Sequence, residues 1–165
     1  MKAITHTLIM FSVLLASCSE KTPDVEELSQ RFLQYQTQFN QLADLSCSLK
    51  KSLNAKFHHH KINNALDYPD PIAAEFLKLN TLLKQIEAEG ITFSQEGASE
   101  CSLFITQWSV WFHGEGSYMG YSYHPPKLNE YNPAIHQKDK RNTKENLHFT
   151  KALADGWYVE YVNTP

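Results

Sequence analysis

Between Val25 and Leu53 apolar side chains recur every three or four residues: Val25, Leu28, Phe32, Tyr35, Phe39, Leu42, Leu49 and Leu53, with one polar gap at Ser46. That period predicts one amphipathic helix running to about Leu53, with Gln30, Gln34, Gln36, Gln38 and Gln41 largely on its wet side. Thr22-Pro23-Asp24 predicts its start, with Thr22 as cap, Pro23 in the first turn, and Asp24, Glu26 and Glu27 where the helix dipole favours negative charge. A second stripe, Ile72, Phe76, Leu79, Leu82, Leu83 and Ile86, follows Asp70-Pro71 and carries Glu75 in its early turns. Gly90 is placed to end that helix in a left-handed conformation. Asn63 to Pro69 reads as the connection, and two such helices predict an antiparallel hairpin.

From Ile91 the pattern becomes β-branched and aromatic. Ile91-Thr92-Phe93 predicts a short strand, and Ser102 to His113 a longer one with apolar residues on both faces. Gly114-Glu115-Gly116 is the expected turn into a strand over Ser117 to His124. Leu147 to Leu153 and Trp157 to Val162 make the last pair, joined through Ala154-Asp155-Gly156, whose Asp-Gly is a hairpin signal. The polar stretch from Pro125 to Asn146 is the longest with no predicted element. The expected fold is α+β, an N-terminal helical hairpin packed on a roughly four-stranded antiparallel meander.

At the amino end, Lys2 is followed by an apolar run from Ile9 to Ala16 and by Leu15-Ala16-Ser17-Cys18. These residues resemble the signal and lipobox of bacterial lipoproteins. The resemblance covers residues 1–18 alone. It implies cleavage before Cys18, lipidation of that cysteine with fatty acid such as palmitate, and anchoring to the membrane through it. The apolar run is far shorter than the roughly 20 residues that span a bilayer, as a processed signal should be. In lipoproteins of this kind aspartate after the cysteine favours inner-membrane retention. Ser19 therefore implies the outer membrane, facing the periplasm. The expected organisation is a signal peptide over 1–17, a lipidated tether over 18–22 and one domain over 23–165.

Removing 17 of 165 residues leaves 148, enough for one domain with a core and too few for two ordinary ones. Losing Lys2 leaves 14 of the 15 Lys and Arg side chains against 18 Asp and Glu. That acidic balance argues against nucleic-acid binding. With Cys18 acylated, Cys47 and Cys101 remain, and an oxidising envelope makes their pairing in a structural disulfide the expectation. Neither sits in the Cys-x-x-Cys spacing of redox and zinc sites.

Motifs for chemistry are thin. Gly114, Gly116 and Gly120 have neither the spacing nor the following helix of a phosphate loop, and a hairpin turn accounts for them. Ser109, His113 and Glu115 are close in sequence, yet Ser109 and His113 would stand about 13 Å apart on a strand, too far for a hydrogen bond. The carboxylate pairs Asp67 with Asp70 and Glu96 with Glu100 fall in expected loops or caps. Lys50, Lys51, Lys56 and the run His58-His59-His60 lie at or just past the first helix, where its dipole favours cations. Those three histidines are a weak zinc or copper candidate, because sequence neighbours on a helix diverge. His113, His124, His136 and His148 would form a metal site only by converging in space. No cofactor and no catalytic residue is assigned.

The stronger signal is aromatic. Trp108, Trp111, Tyr118, Tyr121, Tyr123, Trp157, Tyr158 and Tyr161 load a small sheet that two helices can cover on one face only. By alternation Trp108 and Trp111 take opposite faces, as do Trp157 and Tyr158. Exposed aromatic patches bind partners, so all of these but Tyr161 are the partner-binding candidates. The mobile segment Lys127 to Tyr131, with Lys138, Lys140, Arg141 and Lys144, is a candidate rim. Three readings follow. The first is a monomeric, non-enzymatic envelope lipoprotein that binds a protein or cell-wall component on this face. The second is a periplasmic immunity lipoprotein that neutralises a toxin. The third is a histidine-based metal-binding protein or enzyme.

Overall fold

The first apolar stripe forms two consecutive helices, α1 (Val25–Gln34) and α2 (Gln36–Leu53), in a computed structural model that describes residues 22–54, 56–62, 70–94, 101–142 and 144–165. The expected single helix is interrupted at Tyr35, whose φ of −116° and ψ of 23° leave the helical region. In a straight helix the Cα atoms of residues seven apart are separated by about 10.5 Å along the axis. The break brings the Phe32 and Phe39 ring centroids to 5.0 Å, so both rings serve one core cluster. The cap also differs from expectation: the Asp24 carboxylate accepts from the Glu26 amide at 2.8 Å. Asp24, not Thr22, is the extended residue next to the first helical one.

Helix α3 (Asp70–Gln85) ends earlier than the glycine suggested. Glu87 takes the left-handed conformation at φ 55°. The Ala88 amide donates to Leu83 O at 3.0 Å and the Glu87 amide to Lys84 O at 3.1 Å, which closes the helix in a Schellman turn. Gly90 instead opens β2, where a Cβ would stand 2.6 Å from His60 O of the neighbouring strand.

Among the described residues the sheet has six strands: β1 (Phe57–Lys61), β2 (Gly90–Ser94), β3 (Ser102–Phe112), β4 (Glu115–Tyr123), β5 (Leu147–Ala152) and β6 (Trp157–Thr164). Their order is β1-β2-β3-β4-β6-β5, and every neighbouring pair is antiparallel. The α+β class holds, while the four-stranded meander becomes six strands with β6 between β4 and β5. Two physical causes account for the difference. The histidine run makes strand β1 through its pairing with β2, and no apolar alternation announces it. The long connection from His124 to Asn146 lets the chain reach the far edge before β6 returns to fill the gap.

His113 (φ 52°) and Gly114 (φ 93°) form the β3–β4 turn, so Glu115 is already in the strand. Two positive φ values are what a type I′ hairpin requires. The expected Asp155-Gly156 turn has the same character, with φ 55° and 81°. A register shift between Thr106 and Trp108 makes Gln107 an extra residue in β3. Face alternation therefore changes phase there, and Ile105 and Trp108 are both buried.

The helices lie on one face. Phe32 and Phe39 pack on Tyr121 and Trp157, with centroids 4.5–6.5 Å apart, and the buried Tyr121 hydroxyl donates to Leu28 O at 2.9 Å. Helix α3 packs against α2 and reaches β1 through Asn80, whose Oδ1 is 2.7 Å from His60 Nε2. Ser46, the polar gap of the stripe, is buried, and so is Lys50 near the end of α2. Cys47 of α2 is joined to Cys101, just before β3, with Cα atoms 5.7 Å apart. The helical connection Asn63 to Pro69 and the loop around Gly97 lie outside the described residues.

The stretch read as structureless and mobile is largely built into the fold. The Thr150 amide donates to Asn129 O at 2.6 Å and the Tyr131 amide to Thr150 O at 3.1 Å, which lays this segment along the outer edge of β5. A short helix, α4 (Pro133–His136), is capped by the Asn132 side chain. His136 is buried and stacks on Phe149 at 4.7 Å. The Arg141 guanidinium lies 4.6 Å from the Tyr161 ring centroid. Polar residues hold this segment by capping and stacking, which apolar periodicity does not report.

Candidate functional site

Among the described residues no helix covers the second face of the sheet. Strands β1 to β4 there supply a groove of about 470 Å³, lined by Phe57, His59, Thr92, Phe104, Thr106, Ser109, Trp111 and Tyr118, with Lys61 and Glu89 also at its edge. Strand period and register explain the grouping: Phe104, Ser109, Trp111 and Tyr118 occupy the positions opposite in phase to buried Ile105, Trp108 and Met119. Phe57 is 64% exposed and Trp111 55% exposed. Tyr118 is the centre of the cluster, edge-on to Phe104 at 4.9 Å and stacked near Trp111 at 6.1 Å.

Polar groups punctuate this surface. Ser109 Oγ donates to Glu89 Oε2 at 3.0 Å, and His59 Nδ1 is 2.8 Å from Thr92 Oγ1. Beside the groove the Ser122 hydroxyl donates to Glu160, and His148 Nε2 lies 2.9 Å from the other oxygen of that carboxylate. Asn129 Nδ2 is 2.6 Å from His148 Nδ1. Burial, reinforced by the Glu160 charge, pushes the Tyr118 phenol up to about 12. It stays protonated across the physiological range and is a standing donor beside the aromatic rings.

The aromatic candidates divide between the faces. Trp111, Tyr118 and Tyr158 belong to the open face. Trp108, Tyr121 and Trp157 are buried under the helices, and half-buried Tyr123 packs on Trp157 at 5.0 Å, so these four serve the core. Their phase on the strands decides this, and in β3 that phase depends on the Gln107 bulge. Phe57 and Phe104 belong to the groove and were missed. Phe104 was legible from its phase relative to Ile105, whereas Phe57 required recognising β1.

The histidines are dispersed. His58 stacks on Phe93 toward the core, His59 lies on the open face and His60 is buried against α3. His113 is in the β3–β4 turn, His124 lies past the opposite end of β4, His136 is under the sheet and His148 is beside Glu160. Among the described residues no group of three or more His, Cys, Asp or Glu side chains is placed to hold a metal. Ser109 bonds to Glu89. Asp67, Glu96 and Glu100 lie outside the described residues, as does Cys18. No described helix is long and apolar enough to cross a membrane.

No protein-family model matches the chain, and no curated protein or solved structure matches it. The functional reading therefore rests on residues and geometry alone.

Burial, then the Arg141 charge, lowers the His136 pKa; burial and neighbouring cationic groups lower those of His58 and His59. The unfolded chain takes up these protons near pH 6.5 while the folded one resists. The stability these three neutral histidines contribute is therefore fully present above pH 6.5 and is lost as the pH drops through 6.5 toward the lowered folded values. His136 Nδ1 also accepts from the Asn132 amide at 2.9 Å, a bond that protonation abolishes. The urea midpoint is expected to fall between pH 7.5 and 5, and less so in His136→Gln; equal pH dependence in the two proteins would contradict this account.

Proposed function

We propose that this chain is a lipid-anchored, non-enzymatic protein of the bacterial envelope that holds a protein or cell-wall partner on the open face of its sheet. The observation that carries this reading is the groove of Phe57, Phe104, Trp111 and Tyr118, rimmed by serine, threonine and histidine groups and left uncovered by the described helices. Aromatic rings offer partners apolar area at little entropic cost, and the surrounding hydroxyls and the Tyr118 phenol fix orientation. The reading of the address rests on the amino-terminal resemblance: Lys2, the apolar run and Cys18 for the lipid anchor, and Ser19 for the outer membrane facing the periplasm.

The test is capture by the mature lipidated protein, in parallel from detergent-solubilised envelope and from purified cell-wall sacculi. A residue central to such a contact is worth 2 kcal/mol or more, so Tyr118→Ala and Phe57→Ala are each expected to weaken capture by about 30-fold. Tyr158→Ala, on the same face outside the groove, should leave it within a few-fold. Equal capture by wild type and both groove variants would remove the assignment.

A further inference from the structure

The β3–β4 hairpin ends in Val110, Trp111 and Phe112, which are 53%, 55% and 73% exposed. Val110 and Phe112 stand in the inward phase set by Trp108 but extend past the cover of the helices, while Trp111 points to the open face. The tip thus carries apolar side chains on both sides: Trp111, which also closes the end of the groove, on one, and Val110 and Phe112 on the other, with Glu115 paired opposite Phe112.

Where the chain enters the domain says what this tip meets. The junction of α1 and α2 lies beside the β5–β6 turn, where Gln36, the first residue of α2, donates to Asp155 at 2.9 Å. The other end of α1 lies near the level of Met119 and Tyr161: Asp24 acts on the charge of Arg141, which stacks on Tyr161 and reaches Met119 Sδ at 4.0 Å. Lys138 Nζ donates to Thr22 O at the same place. The amino end of α1 therefore points toward the β3–β4 turn. Cys18 lies four positions before Thr22, a reach of at most about 14 Å. Four residues of β4, from Met119 to Glu115, cover about the same distance to the tip. The segment from Lys138 to Glu145, in which Asp139 and Glu145 alternate with the cations, is held at this end too, where Asn163 Nδ2 donates to Glu145 O at 2.7 Å.

We infer that the hairpin tip is seated in the headgroup region of the membrane that carries the Cys18 anchor, with Val110, Trp111 and Phe112 entering the interface. Tryptophan and phenylalanine suit that zone, and a second membrane contact fixes the orientation that one flexible tether leaves free. The inference rests on the lipid-anchor reading, and the experiment separates the two.

The mature lipidated protein is reconstituted in phosphatidylethanolamine–phosphatidylglycerol vesicles containing phosphatidylcholine brominated at shallow acyl positions. Trp111 is the reporter, isolated as the difference between wild type and Trp111→Phe, because Trp108 and Trp157 are buried. The expected result is co-flotation with loss of most Trp111 emission. In Val110→Ser/Phe112→Ser, which changes exposed side chains, flotation should persist and quenching should largely disappear. Co-flotation with Trp111 unquenched overturns the seating and leaves the anchor intact. If Trp111 is instead shielded from aqueous acrylamide only at high protein density, the tip belongs to a contact between copies, which also overturns it. Failure of palmitate to enter the chain, with loss of flotation, overturns the anchor and the seating together.

Discussion

Cys47→Ser is expected to lower the unfolding free energy by about 4 kcal/mol and the thermal midpoint by about 10 °C. The bond closes a loop of 54 residues, so breaking it restores a large share of the unfolded chain's freedom. It also ties α2 to the start of β3, and the loop it closes contains β1, α3 and β2. Strand β1 pairs with β2 alone among the described strands, yet it supplies Phe57 to the groove. Loss of the bond should therefore loosen the β1 wall before the β4–β6 centre. Thermal unfolding of wild type, Cys47→Ser and Cys47→Ser/Cys101→Ser, with hydrogen exchange resolved by strand, provides the check. Two variants with wild-type midpoints would show that the bridge adds nothing to stability, and uniform exchange changes would refute the local effect.

How much of this was legible in the sequence depends on which force shapes each element. Burial on one side writes a period, so the apolar stripes of α1, α2 and α3 and the strands β2 to β6 could be read directly. The Asp155-Gly156 turn was legible because its residues tolerate positive φ; the same property at His113 moved the other turn by one residue, since histidine is a weaker signal than glycine. What escaped was fixed by pairing or stacking. Phe57 to Lys61 forms a strand because Gly90 to Ser94 lies beside it. The segment around Asn129, His136 and Arg141 is held by backbone bonds to Thr150 and by flat groups on Phe149 and Tyr161. The candidate site was half legible for the same reason. An aromatic surplus on a one-sided sheet was evident, but assigning each ring to a face needed the extra residue at Gln107, which has no sequence signature.

Tyr121 and Tyr118, three residues apart on β4, should separate stability from binding. Tyr121 is fully buried, in contact with the Phe32 and Phe39 rings, and its hydroxyl reaches Leu28 O. Tyr121→Ala leaves a large cavity beneath the helices and is expected to cost about 3–5 kcal/mol. Tyr121→Phe, which keeps the ring and loses one buried hydrogen bond, should cost about 1 kcal/mol. Tyr118 faces the groove beside Phe104 and Trp111, so Tyr118→Ala should cost about 1 kcal/mol in stability while weakening partner capture strongly. Urea unfolding measures the first quantity and the capture assay the second. If Tyr118→Ala destabilised the fold as much as Tyr121→Ala, the open face would be a second core surface, covered by something more permanent than a passing partner. If the Tyr121→Phe protein, folded and only slightly weakened, lost capture while Tyr118→Ala kept it, the two faces would have been assigned the wrong way round.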